Sequence, residues 1–246
     1  MILTIDIGNS RVKCSLFQAN GIHRHTTSFP HKYWEFLLSY PYSFKGIKSA
    51  ILSDVNGLSH NWMLNFSFPL IRLDHNTPIP IKNLYKTPET LGMDRVANIM
   101  GAQFLFPNTD VLVIDIGTCI TFDMLHKDSS YHGGSISPGP LLRFKALNTF
   151  TGKLPLVNFA KQKEIILVGK DTEESILSGV ILGTQLEIEA RIMEYKKTQK
   201  DLKILVCGGG RNDFVFNPNL KIFAYPNLLA TGLYNILKNN ELHKNK

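Results

Sequence analysis

Residues 2–17 read ILTIDIGNSRVKCSLF and residues 111–125 read VLVIDIGTCITFDML, so the chain contains one pattern twice. In each copy a run of apolar or β-branched residues ends in Asp-Ile-Gly, small polar residues follow, and a second apolar run returns. This pattern predicts a buried strand, a tight turn and a returning strand. Because the two copies have similar surroundings, they indicate an internal duplication and an α/β protein of two similar halves.

The turn in each copy has the composition of an anion-binding site. Gly8 and Gly117 let a ligand approach the backbone, and the N–H groups of such a turn can surround anionic oxygens. Asp6 or Asp115 beside that turn would repel a phosphate unless a cation lay between them. Asp-x-Gly after a strand therefore suggests phosphate binding through Mg²⁺. A single copy would be weak support, since Asp at a strand end is often only a turn former.

Length and composition fit two domains of ordinary size. The chain has 246 residues, of which 43% are hydrophobic, enough for two cores. A turn-rich stretch at residues 106–109 precedes the second copy, so we predict domains at residues 1–107 and 108–246. The polar tail, residues 238–246, is predicted to be disordered.

Charge and cysteine content narrow the class of protein. The net charge of +7 fits attraction of anionic small molecules, while the sequence lacks the basic runs typical of nucleic-acid binding. No apolar run is long enough to span a membrane, and the N-terminus lacks the pattern of a signal peptide. Cys14, Cys119 and Cys207 have no metal-binding spacing and predict buried thiols in a cytoplasmic protein.

A second candidate site lies at residues 83–98. A helical pattern begins near Asp94, after Pro88 and Gly92. Asp94 has two interpretations: a carboxylate that caps the helix N-terminus, or a carboxylate beside a cleft that accepts a hydroxyl proton, with Arg95 next to it to hold an anion. The residues of this stretch alone favour the cap.

The longest predicted helix begins after Asp171 and ends near residue 197. Asp171 and Glu174 have capping-box spacing. Thr172 in the first turn is either part of the cap or a hydroxyl offered to a substrate. Gly179 and Gly183, one turn apart, would allow another helix to approach closely, either within the chain or across a dimer contact. A buried stripe is predicted along this helix at Ile176, Leu177, Val180, Ile181, Thr184, Ile188, Ile192 and Met193.

Other predicted elements complete an α/β arrangement. Strands are predicted at residues 48–55, 66–73, 203–206 and 221–225, helices at 31–39, 141–148 and 227–237, and a glycine-rich loop at 131–139. The Cys207-Gly-Gly-Gly-Arg-Asn212 stretch is either a close approach to a nucleotide base or ribose, or a flexible turn. No P-loop motif and no nucleophile elbow is present.

Assembled in chain order, the motifs resemble those of type III pantothenate kinases, which belong to the actin-like superfamily of acetate and sugar kinases. They are Asp6-Ile-Gly-Asn-Ser10; Tyr85 through Pro88 to Leu91-Gly-Met-Asp-Arg95; Asp115-Ile-Gly-Thr118; Gly133-Gly-Ser-Ile-Ser-Pro-Gly139; and Thr172-Glu-Glu-Ser-Ile-Leu-Ser-Gly179. The resemblance implies two ribonuclease H-like (actin-like ATPase) domains with mixed sheets, and a homodimer with sites near the subunit contact.

The resemblance also implies a role for each motif. ATP phosphates would be bound by Asp6, Ile7, Gly8, Asn9, Ser10, Arg11, Val12, Lys13 and Thr118, with Mg²⁺ held near Asp6 through the phosphates. Pantothenate would be bound by Tyr85, Gly92, Met93, Asp94, Arg95 and Thr172. Asp94 would be the catalytic proton acceptor, and Asp115 would bind a monovalent cation, K⁺ or NH₄⁺. With the resemblance added, we favour the proton acceptor over the cap for Asp94.

The implied function is ATP-dependent phosphorylation of pantothenate to 4′-phosphopantothenate, the first step of coenzyme A synthesis, by a cytoplasmic enzyme that binds neither nucleic acid nor membrane. Two alternatives are kept. One is a kinase of the same superfamily for another small hydroxy substrate. The other is a catalytically idle relative that acts as a transcription accessory factor.

Overall fold

The chain folds into two compact units in a computed structural model. The first unit contains Met1–Asn108, Leu125–Gly133 and Asn227–Lys246, and the second contains Thr109–Met124 and Gly134–Pro226. The structure describes residues 1–30, 32–33, 45–55, 57, 66–159 and 165–244. The helix predicted at residues 31–39 lies largely outside these described residues.

The first unit contains a five-stranded mixed sheet in the order β3-β2-β1-β4-β5. Its strands are β1 (Ile2–Ile7), β2 (Arg11–Phe17), β3 (His23–Pro30), β4 (Ser49–Asp54) and β5 (Leu70–Arg72). β1 pairs antiparallel with β2 and parallel with β4, so the predicted first hairpin is confirmed. β3 was not predicted, because its sequence HRHTTSFP is polar and lies at the exposed edge of the sheet.

One face of this sheet is covered by two helices, α1 (Met93–Leu105) and α5 (Leu228–Lys244). α5 packs against β1 and β4, and α1 packs against α5 and contacts β4. Two glycines allow the helices to approach: a Cβ at Gly101 would lie 2.4 Å from the Leu228 carbonyl oxygen, and one at Gly232 would lie 1.7 Å from the Ala97 carbonyl oxygen. The opposite face forms a separate apolar cluster from Leu3, Ile5, Ile7, Val12, Cys14, Ala50, Leu52 and Phe68.

The prediction of a disordered tail from residue 238 is wrong, because α5 continues to Lys244. Lys238 forms an ion pair with Glu241 at 2.8 Å, and Glu241 also accepts a hydrogen bond from the Ser49 hydroxyl at 2.6 Å. Asn240 donates to the Pro78 carbonyl at 2.9 Å. These contacts bind a polar segment to the first unit, which composition alone does not reveal.

The second sheet has six strands in the order β11-β10-β7-β8-β9-β6. They are β6 (Lys82–Asn83), β7 (Val111–Ile116), β8 (Cys119–Leu125), β9 (Ser130–Pro138), β10 (Lys203–Cys207) and β11 (Ile222–Ala224). β7 and β8 are the predicted second hairpin. β10 pairs in parallel with both β7 and β11.

The glycine-rich loop predicted at residues 131–139 is instead the strand β9. Its glycines serve close packing within the sheet: a Cβ at Gly134 would lie 1.6 Å from the Phe122 carbonyl oxygen. Gly133 has φ +109°, a value that glycine adopts without strain. The glycines therefore mark close backbone contacts and not the end of a strand.

The helices of the second unit are α2 (Pro140–Phe150), α3 (Thr172–Leu177) and α4 (Gly183–Thr198), with α3 and α4 joined by a π-helical turn at Ser178–Leu182. The predicted stripe is buried at Ile176, Leu177, Val180, Ile181, Thr184, Ile188 and Ile192. The prediction is wrong for Met193, which is 58% exposed because it lies about 100° around the helix from Ile192 and about 140° from Ile188, beyond the edge of the buried face. None of the described helices is long and apolar enough to cross a membrane.

Candidate active site

The first acidic hairpin places Asp6 next to a tight turn. The Gly8 N–H donates to the Arg11 carbonyl at 3.0 Å, which closes the turn. Asp6 is buried on β1, with Lys13 opposite it on β2 and Ser53 opposite it on β4. An acid and a base thus lie side by side next to the turn. This arrangement suits oxygen-rich anions that carry a cation.

Not every residue of this hairpin has a side chain available for ligand binding. The Ile7 and Val12 side chains are fully buried in the apolar cluster of the first unit, so they can contribute only their backbone. The Arg11 guanidinium donates to the Ser28 hydroxyl at 2.8 Å and to its carbonyl at 2.9 Å. Asn9 and Ser10, by contrast, are exposed.

Cys14 lies one residue beyond Lys13 and is chemically quiet. Burial, together with the nearby Asp6 carboxylate, raises the pKa of the Cys14 thiol to about 12. The thiol is therefore protonated near neutral pH and is a poor nucleophile. All three cysteines are free, and Cys207 is buried like Cys14 whereas Cys119 is half-buried. The prediction of buried thiols is confirmed for two of the three.

The start of α1 shows which contact the Asp94 carboxylate makes within the chain. The N-cap position is Gly92, and Asp94 lies in the first turn, where its carboxylate accepts the Arg95 N–H at 2.8 Å. A Cβ at Gly92 would lie 2.5 Å from this carboxylate, so glycine makes room for it. Asp94 and Met93 are both half-buried. Asp94 therefore stabilises the helix terminus.

Tyr85 is held in a layered cluster in the first unit. The Arg95 guanidinium carbon lies over its ring, 5.6 Å from the centroid. Tyr131 stacks with Tyr85 at 6.3 Å and an interplanar angle of 16°. A Cβ at Gly133 would lie only 2.8 Å from the Tyr85 ring. Arg95 is almost fully buried, so a planar cation is fixed beside Asp94, an arrangement suited to a carboxylate ligand.

Tyr131 and Gly133 were not among the predicted site residues. The sequence indicates part of this arrangement, because the paired glycines at 133–134 predict a close contact between the backbone and another part of the molecule. It did not show that this partner is Tyr85, which lies far away along the chain. Only the pairing of β6 with β9, in which Asn83 is opposite Tyr131, brings them together.

Asp115 of the second acidic hairpin lies against closely packed backbone from the end of β10. Gly208, with φ +87°, follows β10, and a Cβ there would lie 2.3 Å from an Asp115 carboxylate oxygen. Gly139 donates its N–H to the Thr118 carbonyl at 2.9 Å, and a Cβ on it would lie 2.2 Å from the Gly117 carbonyl oxygen. Of the three glycines after β10, Gly208 is therefore required because its backbone lies close to Asp115.

Thr172 occupies the first position of α3. The Asp171 cap is confirmed, because Asp171 accepts the Glu174 N–H at 2.8 Å. The return bond differs from a capping box: the Glu174 carboxylate accepts the N–H of Lys170, one residue before the N-cap, at 2.8 Å. The cap is therefore supplied by Asp171 and not by Thr172. Thr172 itself is exposed, which leaves its hydroxyl accessible to a ligand.

Among the described residues, no group of three or more His, Cys, Asp and Glu side chains forms a metal-binding cluster. The Asp6 carboxylate beside the turn closed by Gly8 and Arg11 suits Mg²⁺, which is usually bound by one or two carboxylates together with phosphates and water. Asp6, Asp94, Tyr85 and Arg95 belong to the first unit, and Asp115, Thr118 and Thr172 belong to the second.

Comparison with protein families matches residues 2–194 to the type III pantothenate kinase model. The chain belongs to the type III pantothenate kinase family. A type III pantothenate kinase from Phocaeicola vulgatus is 42% identical over 246 residues, covering 98% of this chain and 99% of the relative. One from Christiangramia forsetii is 39% identical, with 98% and 99% coverage. The predicted family membership is confirmed.

Solved structures support the fold. A Campylobacter jejuni protein described as a Baf family transcriptional activator aligns with a TM-score of 0.64 and 21% identity, covering 97% of this chain and 98% of that one. A Sinorhizobium meliloti protein described as a 2-dehydro-3-deoxygalactonokinase aligns with a TM-score of 0.59 and 14% identity, covering 96% and 98%. At these identities the likeness shows the fold alone. The predicted fold class, α/β of the actin-like ATPase and sugar kinase type with mixed sheets, is confirmed.

Proposed function

We propose that this chain transfers the γ-phosphoryl group of ATP to the primary hydroxyl of pantothenate, giving ADP and 4′-phosphopantothenate, the first step of coenzyme A synthesis. The observation that carries this proposal is full-length similarity to type III pantothenate kinases, in a chain that keeps both acidic hairpins. The Asp94–Arg95 pair beside Tyr85 supports it, because a substrate with a hydroxyl and a carboxylate needs a proton acceptor and an anion-binding group.

Asp94 is the proposed catalytic residue. In the reaction the bond between the γ-phosphorus and its bridging oxygen breaks, a bond to the pantothenate oxygen forms, and the hydroxyl proton passes to the Asp94 carboxylate. Because such transition states are loose, little deprotonation is needed early. Asp94 therefore orients the hydroxyl first and collects its proton late.

The first hairpin is the proposed phosphate-binding element. Backbone N–H groups of Asn9 and Ser10 and the Lys13 ammonium would face the phosphate oxygens. Mg²⁺ bound with the nucleotide would neutralise phosphate charge beside Asp6. Ile7, Arg11 and Val12 would contribute only through backbone, because their side chains are committed to the core or to Ser28. Thr118 is proposed to contact ATP from the second hairpin.

Asp115 is the proposed ligand of a monovalent cation, K⁺ or NH₄⁺. Its carboxylate lies close to the Gly208 backbone, next to the Ile116 carbonyl oxygen, and oxygen atoms are the ligands such cations take. Asp115→Asn would weaken binding of the cation and so raise the concentration of potassium needed for half-maximal activity. Identical potassium titrations for Asp115→Asn and the wild type would contradict this role.

A homodimer is proposed through α4 and the turn before it. Gly179, Gly183, Leu186, Ala190 and Met193 follow the four-three spacing of a helix seam. A Cβ at Gly179 or Gly183 would meet no described atom within 4 Å, and Leu186 and Met193 are 52% and 58% exposed. A second copy could bury this stripe and bring Thr172 to its neighbour's substrate. Leu186→Glu with Met193→Glu should convert a dimer to a monomer in light scattering, and an unchanged mass would overturn this interface.

The deciding experiment measures ADP release with and without pantothenate, each with and without potassium. Pantothenate-dependent, potassium-stimulated release supports the proposal. Release with a different small hydroxy compound in a substrate panel would favour another kinase of the superfamily. Tight DNA binding with no ADP release would favour the transcription accessory factor. We also propose a cytoplasmic location without membrane attachment, which cell fractionation would test.

A further inference from the structure

Two hydroxyl groups in the described part of the chain are buried without a hydrogen-bond partner: Ser53 Oγ and Thr121 Oγ1. Ser53 is 0% exposed. A buried hydroxyl without a partner destabilises the fold by about 1–3 kcal/mol. Such groups are rare in folded proteins and mark sites where a ligand or a bound water completes the structure.

Ser53 lies directly beside the carboxylate of the first hairpin. In the parallel pairing of β1 with β4, Asp6 is opposite Ser53, and in the antiparallel pairing of β1 with β2, Asp6 is opposite Lys13. Side chains of directly opposed residues lie on the same face of a sheet. Lys13, Asp6 and Ser53 therefore form one row of polar side chains across three strands, at the end of β1 where the turn begins.

This row lies on the helix-covered face of the sheet. Ser49, four residues before Ser53 on β4 and so on the same face, donates to Glu241 of α5. Phe17 on β2 stacks against Tyr234 of α5 at 5.0 Å. α1, whose first turn carries Asp94, packs against α5 and contacts β4. Ser53 thus faces the side of the sheet on which the proposed proton acceptor is carried.

Comparing Ser49 with Ser53 distinguishes a serine that stabilises the fold from one that is available to a ligand. Both are buried serines on one face of one strand, and Ser49 has a 2.6 Å partner whereas Ser53 has none. If Ser53 served only the fold, alanine would be the less costly residue at its position. A hydroxyl there is useful only if something other than the described chain bonds to it.

We propose that Ser53 is an additional ligand-binding residue of the phosphoryl-transfer site. Its hydroxyl hydrogen-bonds to an oxygen of the magnesium–phosphate group that is held beside Asp6 when nucleotide is bound. This inference rests on the proposed function for the identity of the nucleotide. It adds a third side chain, after Asp6 and Lys13, to the row that fixes the phosphate group.

The test compares the wild type with Ser53→Ala, Ser53→Cys and the matched control Ser49→Ala. Melting temperature is measured without ligand, and the Kd of the non-hydrolysable ATP analogue ADPNP with Mg²⁺ is measured by calorimetry. We expect Ser53→Ala to melt at or above the wild-type temperature while its Kd rises about tenfold, as for loss of one hydrogen bond to a charged group. Ser53→Cys, similar in size but a poor hydrogen-bonding group, should weaken binding likewise. Ser49→Ala should melt lower and keep the wild-type Kd.

Two results would overturn this role. One is wild-type affinity in Ser53→Ala. The other is a lowered melting temperature in Ser53→Ala together with wild-type affinity and stability in Ser53→Cys, which would mean that the residue only fills space. If Ser53→Ala does not fold, the affinity of Ser53→Cys decides. Both measurements, nucleotide affinity and the stability of the unliganded protein, test the role of Ser53 even if pantothenate is not the acceptor. Failure of the proposed function would be seen separately, as a lack of pantothenate-dependent turnover in the wild type.

Discussion

Arg95 lies over the ring of Tyr85, with its guanidinium carbon 5.6 Å from the ring centroid, and the two residues come from different elements of one compact unit. Arg95 is carried by α1, one residue after Asp94, and Tyr85 lies two residues after β6, whose pairing with β9 holds this segment in place. Attraction between the guanidinium and an aromatic face restricts where the cation can lie. The position of the Arg95 cation is thereby fixed by the chain itself.

Arg95→Lys should therefore impair binding of the acceptor and not of the nucleotide. Lysine keeps the charge but cannot stack in a plane or bind a carboxylate through two parallel N–H groups. We expect KM for pantothenate to rise about tenfold or more, with KM for ATP within about twofold of wild type. Steady-state kinetics with each substrate varied would measure this. Lys86→Ala, an exposed neighbour of Tyr85, is the control and should leave both KM values unchanged; an equal rise in KM for ATP in Arg95→Lys would contradict the assignment.

Asp94→Asn should separate the two roles of this residue. The asparagine side-chain oxygen can still accept the Arg95 N–H, so the helix terminus and the melting temperature should be retained. An amide cannot collect a proton, so kcat should fall about 10²–10⁴-fold. ADP release under saturating substrates measures kcat, with Glu89→Gln in the preceding turn as control. A wild-type kcat in Asp94→Asn would remove this carboxylate from the mechanism.

The sequence predicts the two hairpins well because their pattern is local. Each apolar run, its Asp-Ile-Gly turn and the return are specified by adjacent residues, and both are observed as β1–β2 and β7–β8. The division into halves at residues 1–107 and 108–246 stays a prediction, and each compact unit is assembled from more than one segment.

Features that depend on residues far apart along the chain could not be predicted from local sequence. Gly133 and Gly134 suggested a loop, because nothing nearby in sequence shows that Tyr85 and Phe122 require them to be small. The polar end of α5 suggested disorder, because Ser49 and Pro78, which bind it, lie far along the chain. Local composition thus predicts an anion-binding site, whereas the residues that pack around it from distant parts of the chain are seen only in the structure.

Gly208→Ala should damage the Asp115 site in particular. The added Cβ would lie 2.3 Å from both an Asp115 carboxylate oxygen and the Ile116 carbonyl oxygen, at a φ of +87° that other residues rarely adopt. We expect a loss of stability of about 2 kcal/mol or more and a raised potassium requirement. Gly209→Ala is a matched control, since a Cβ there meets nothing within 4 Å. Thermal unfolding and potassium titrations of both variants would measure this; equal behaviour would show that Asp115 does not depend on Gly208.

The ion pairs at Glu187 predict an acid-dependent loss of stability in the second unit. The Glu187 carboxylate forms a salt bridge with the Arg143 guanidinium and a second one with the Arg191 guanidinium at 3.2 Å. Partial burial alone would raise the pKa of Glu187, but hydrogen bonds from Arg143 and Ser137 and both guanidinium charges lower it below the ordinary value of 4.5. Because the folded pKa is lowered, the ionised form stabilises the fold above about pH 4.5, and this contribution is lost as the pH falls through the folded value.

Glu187→Gln should thus melt lower than wild type at neutral pH, by roughly 2–4 °C for a loss of about 1 kcal/mol. The difference should be constant down to about pH 5, shrink below about pH 4.5 as the unfolded-state carboxyl takes up a proton, and be lost once the pH falls below the lowered folded pKa. Melting curves of both proteins from pH 7 to pH 3 measure it. Glu194→Gln is the control on the same helix, because its pair with Lys197 is exposed to solvent and should contribute little. A Glu187→Gln difference that does not change with pH would show that the ionised carboxylate is not what stabilises this part of the fold.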